Sequence, residues 1–205
     1  MARMCAEKES ELLAQGIAFH IQHRSFAITA VISAVCFLEA HVNEVFADAA
    51  DDNAVVRQRV RGIPEEAMNL LAQLWNGPEV AAGDRLAILA KYQLALVACG
   101  KSRMAANRNP FQKAQKLVDL RNALVHFKPE WQEHDVAHKL EKKLKPAGFA
   151  ENRLPVGYPW YPNKCLAAGC AEWACETSCD FVNDWRSKMG LVRNYEDDFA
   201  DWASP

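Results

Sequence analysis

Apolar residues recur at three- and four-residue intervals along nearly the whole chain, and no alternating strand pattern stands out. The pattern predicts helices throughout. A first covers Glu7 to about Ile21. A second runs from Ser25 to about Ala49, with Ile28, Val31, Ile32, Val35, Leu38, Val42 and Phe46 on one side, until Asp51, Asp52 and Asn53 break it. Pro64 followed by Glu65 and Glu66 marks a third start, with acids at the positive end of the helix dipole; Asn76-Gly77-Pro78 stops it. Asp84 should cap a fourth helix that reads through Leu86, Leu89, Tyr92 and Leu96 to Cys99, with Gly100 as its stop.

The next helix carries the chemistry. Asn109-Pro110 opens it by cap-and-proline logic, and Leu117, Val118, Leu124 and Val125 offer an apolar face. Arg121, Asn122 and His126 gather near its end, followed by Phe127-Lys128-Pro129. At about 100° per residue, Asn122 and His126 lie one turn apart on one face, whereas Arg121 lies about 140° round from His126. Beyond Pro129, Glu133 to Lys145 reads as a short exposed helix. Three prolines between Leu154 and Pro162 dictate an irregular connection, and Asn163 should cap a long last helix ending near Gly190. The expectation is one all-α domain over 1–190, with an acidic tail over 191–205.

Composition narrows the classes. Half of the 205 residues are apolar, enough for a sizeable core, and the net charge of -2 gives no global basic field to draw in nucleic acid. RNA contact would need a local patch, for which Lys101, Arg103, Arg108 and Lys128 are the candidates. The odd count of seven cysteines suggests free thiols in a reducing compartment. The N-terminus lacks a signal-peptide pattern, and the apolar run from Ala27 to Leu38 is short for a bilayer. The expected setting is therefore cytoplasmic, without membrane contact.

Cys165, Cys170, Cys175 and Cys179 invite a zinc reading. On one helix they would project at about 0°, 140°, 280° and 320°, which closes no tetrahedron, so no metal is expected. Tyr158, Trp160 and Tyr161 could stack on bases or fold onto the end of the bundle. His20, His23 and His41 show no ligand spacing.

Arg121-Asn-Ala-Leu-Val-His126 resembles the Arg-x4-His signature of the HEPN superfamily, including the asparagine directly after the arginine. Leu38-Glu-Ala-His-Val-Asn-Glu44 also resembles a segment of one branch, and the likeness covers roughly Ser25 to Glu130. The resemblance implies an up-and-down helical bundle, here with an additional C-terminal helix, that pairs as a homodimer. It implies a metal-independent endoribonuclease without cofactor, in a toxin–antitoxin, defence or RNA-processing setting, with an antitoxin or other protein as partner. In that reading His126 moves a proton at the ribose 2′-OH or the leaving oxygen, Arg121 neutralises the phosphate, and Asn122 orients the histidine or the substrate. The alternative is a non-catalytic bundle of the same kind that binds RNA, a nucleotide or a protein.

Glu39 and Asn43, one turn apart beside the apolar stripe of the second helix, are candidates for support. A carboxylate near a core needs a partner, and pairing of Glu39 with Arg121 is expected.

Overall fold

The computed structural model describes residues 1–77, 86–126, 137–157 and 159–191. Among these every regular element is helical and no strand occurs, so the chain is all-α. In chain order the helices are α1 (Ala2–Ala14), α2 (Ile21–Ala50), α3 (Ala54–Arg57), α4 (Glu65–Asn76), α5 (Ile88–Ala98), α6 (Phe111–Val125), α7 (Lys139–Leu144) and α8 (Ala168–Met189).

Several boundaries follow the local signals and others depart from them. The first helix begins earlier than expected and ends at Ala14 rather than near Ile21. Gly16 takes a left-handed conformation (φ +69°), and the amides of Gly16 and Ile17 turn back to the carbonyls of Leu13 and Leu12. Gly100 closes α5 in the same way, its own amide reaching Val97 and that of Lys101 reaching Leu96. Asn53 both ends the acidic break after α2 and caps α3, its side chain accepting from the Val55 amide. The expected cap Asp84 lies outside the described residues.

α8 starts at Ala168, five residues after the expected cap. Asn163 sits instead in a π-type turn over Trp160–Lys164, where its side chain accepts a 2.6 Å hydrogen bond from Arg24. Of the expected Glu133–Lys145 helix, residues 133–136 lie outside the described set, α7 begins only at Lys139 with the His138 side chain as its cap, and Lys145 opens a 3-10 turn. Residues 192–205 of the acidic tail also lie outside the described set.

The chain divides into two compact units, Met1–Cys36 with Gln112–Ser178, and Phe37–Phe111 with Cys179–Pro205. In the first unit, Cys5, Glu9 and Leu12 bury one stripe of α1, Ala27, Ala30, Val31 and Val35 one stripe of α2, and Ala114, Leu117 and Leu120 one stripe of α6. In the second, Tyr92 is the hub. It meets the rings of Phe181 and Trp185 edge-on, at 4.8 and 4.9 Å between centroids. Its hydroxyl donates to the Leu38 carbonyl, and its own carbonyl accepts from the Trp185 indole. Each polar end of these buried aromatics is thereby satisfied, which burial demands.

By length and apolar composition α2 could cross a bilayer, contrary to the shorter run read from the sequence. Within the chain itself, 44% of its most apolar window is buried.

Candidate functional site

The Arg-Asn-His cluster stands at the C-terminal end of α6. Leu117 and Leu120 are fully buried and fix that helix in the first unit. An ion pair between Asp119 of α6 and Lys143 of α7 ties down its outer side. The apolar face is narrower than the sequence suggested. Val125 is 52% exposed, since at about 100° per residue it lies about 140° round from Leu120.

The His126 amide donates to the Asn122 carbonyl at 2.9 Å, which carries the helical hydrogen bonding one residue past Val125. Asn122 and His126 are exposed and one turn apart; Arg121 is half-buried. Among the described residues none of the three side chains has a hydrogen-bonding or ion-pair partner. A guanidinium, an amide and an imidazole are thus held by a rigid helix with their functional ends unspent. Lys128 lies outside the described residues.

Glu39 and Asn43 belong to the second unit, so the expected Glu39–Arg121 pairing is a feature of neither unit by itself. Within the second unit, Asn43 accepts a 3.0 Å hydrogen bond from Lys91 of α5. Glu39 is half-buried and has no hydrogen-bonding or ion-pair partner among the described residues. Lys101, Arg103 and Arg108 are exposed on the loop after α5. That loop is pinned where the Gln93 amide grips the Met104 backbone at both its N–H and its carbonyl.

Two buried histidines escaped the sequence reading. His23 and Glu9, each 2% exposed, form a 3.0 Å pair in the first unit. The same Glu9 oxygen accepts from the Ala168 amide at the start of α8. Burial pushes the Glu9 carboxyl up, but hydrogen bonds from His23 and Ala168 and the charge of His23 outweigh it and hold the group below its ordinary range. An acid on the buried stripe of α1, four residues from Cys5, was the available signal.

His41 is the other. It stacks on Phe37 and meets Trp185 edge-on, and its Nε2 has no hydrogen-bonding partner among the described residues. Burial, and then the nearby Arg186 charge, push it down to about 4.

Cys5, Cys99, Cys165 and Cys170 are buried, whereas Cys36 and Cys175 are exposed and Cys179 is half-buried. Cys165 precedes α8 rather than lying on it, and hydrogen bonding to Cys170 together with burial raises its thiol far above the ordinary range. Burial, then Glu9 and Cys170, push Cys5 up to about 12. Such thiols are poor nucleophiles. Among the described residues no group of three or more side chains is arranged to hold a metal. Trp160 and Tyr161 are buried rather than offered to bases: Trp160 donates to Glu151, and Tyr161 stacks on His138. Tyr158 lies outside the described residues.

Set against protein-family models, curated proteins and solved structures, the chain matches none of them.

Proposed function

We propose that the chain is a metal-independent endoribonuclease of the HEPN type, working as a cytoplasmic homodimer in a toxin, defence or RNA-processing role. The observation that carries this reading is the end of α6, where exposed Asn122 and His126 stand one turn apart beside Arg121, without partners among the described residues.

In the proposed reaction the ribose 2′-oxygen attacks the adjacent phosphorus. One His126 takes the 2′-proton, and a second, from the other protomer, returns a proton to the departing 5′-oxygen. The products are a 2′,3′-cyclic phosphate and a 5′-hydroxyl. Arg121 offsets the negative charge that builds on the phosphate, and Asn122 orients the imidazole or the substrate. Exposed Val125, next to His126 in the chain, supplies apolar surface near the end where the second protomer would sit. Glu39, Asn43 and the basic loop of Lys101, Arg103 and Arg108 are proposed to support and hold the RNA.

The test is cleavage of a mixed RNA pool in EDTA by purified protein, with His126→Ala alongside. Cleavage that leaves cyclic ends and vanishes in the variant supports the reading. An inert, folded dimer, or equal cleavage by both proteins, refutes it.

A further inference from the structure

Lys91 is 5% exposed, on a largely apolar helix, yet among the described residues its one hydrogen-bonding partner is the neutral side chain of Asn43. Among the described residues no carboxylate pairs with it. A buried ammonium normally finds a counter-charge, because burial without one costs several kcal/mol.

The chemistry also fixes the asparagine. An ammonium has only N–H donors, so the atom that meets Lys91 must be the amide oxygen, and the Asn43 NH2 is the free end. Lys91 keeps two further N–H groups and Asn43 keeps two, with no acceptor for them among the described residues. Donors alone converge here, from α5 and from α2. Asn43 is half-buried, which gives the pair a way to the surface.

We propose that Lys91 and Asn43 bind the phosphate of a hydroxyl-bearing phosphate ester, a ribose phosphate being the simplest. A tetrahedral oxyanion can accept from two helices at once, and its charge answers Lys91. Glu39, one turn before Asn43, can accept a hydrogen bond from the ester's ribose hydroxyl, which inorganic phosphate lacks; helix neighbours at this spacing lie about 5–6 Å apart at Cβ. All three residues belong to the second unit, and the site stands whether or not Arg121 and His126 cleave RNA.

A free nucleotide and an RNA chain both present this group, so AMP and a short single-stranded RNA serve as separate probes. Inorganic phosphate and acetate act as controls. Thermal melting and calorimetric titration of the full chain in chloride buffer read the binding. AMP, the RNA or both should raise Tm and bind more tightly than inorganic phosphate, and Lys91→Met should weaken that binding by at least about tenfold. Asn43→Asp supplies an internal carboxylate with almost no change of shape. It should raise Tm without ligand and remove the response to the phosphate probes. Glu39→Gln should narrow the advantage of AMP over inorganic phosphate. The proposal is overturned if neither AMP nor RNA shifts Tm at millimolar concentration, if acetate does as well, or if Asn43→Asp responds as the unchanged protein does.

Discussion

Glu9 and His23 meet at 3.0 Å inside the first unit, and the same carboxylate oxygen receives the Ala168 amide at the head of α8. One buried anion therefore joins α1, α2 and α8. Because the folded carboxyl is held below its ordinary 4.5, the folded chain gives up that proton more readily than the unfolded chain. The stability this group contributes is complete above about pH 4.5 and is lost as the pH falls through the depressed value. Glu9→Gln should cost about 1.5–3 kcal/mol at neutral pH, the range for hydrogen bonds to a charged group, and should flatten the acid limb of the stability curve. Urea titrations from pH 7 to pH 3 check both; an acid limb unchanged in the variant would overturn the assignment.

His41 gives a second pH dependence, at a higher window. The folded imidazole titrates near 4 and the unfolded one near 6.5, so the unfolded chain binds the proton first. Stability is complete above about pH 6.5 and declines toward pH 4, by roughly 1.4 kcal/mol per unit and roughly 3 kcal/mol in all. His41→Phe keeps a ring against Phe37 and Trp185 and should remove this slope between pH 6.5 and 4. Chemical denaturation of both proteins at closely spaced pH values is the measurement.

Gly169, in the first turn of α8, allows a close approach of backbone. A Cβ there would stand 2.8 Å from the Ala150 Cβ and 2.9 Å from its nitrogen. Backbone cannot swing aside like a flexible side chain, so Gly169→Ala should destabilise the chain by about 1–3 kcal/mol. Differential scanning calorimetry should show a lower Tm, with α8 formed in the surviving fold. A Tm equal to that of the parent would place Ala150 farther from the helix than described.

At the α6 end, His126→Ala should lower ribonucleolytic turnover by about 10²–10⁴-fold, the usual share of a general acid–base. Arg121→Lys keeps the charge but not the planar fork, and should lose about 10²–10³-fold, close to the loss of one transition-state donor. Neither side chain has a partner among the described residues, so both variants should melt within about a degree or two of the parent. Single-turnover cleavage beside melting curves separates the chemical loss from misfolding.

The all-α class was legible because helical periodicity repeats its message in every turn. The start of α6 was legible too, since Pro110 immediately precedes its first residue, but of its expected apolar face only Leu117 is fully buried. Local signals failed where a distant residue does the work. Asn163 has the right chemistry for a cap, yet the Ala168 amide is taken by Glu9, 159 positions earlier. Lys91 went unremarked in the sequence; the fold shows that among the described residues an asparagine answers it. Around α1, the apolar Ile17 and Phe19 extended the helical pattern past Gly16, where the backbone in fact turns left-handed.

The Glu9 contact also sets the order in which this chain can be completed. The first unit takes its opening residues from Met1–Cys36 and the rest from Gln112 onward, so a ribosome makes most of the second unit before the first has its remaining half. Glu9 and His23 wait, as polar groups on half-formed apolar faces, until Ala168 emerges. Fragments that stop short of α8 leave that carboxylate without the helix end it caps, and N-terminal deletions that remove α1 leave α8 uncapped. The opening 36 residues and residues 112–178 thus fold as one unit.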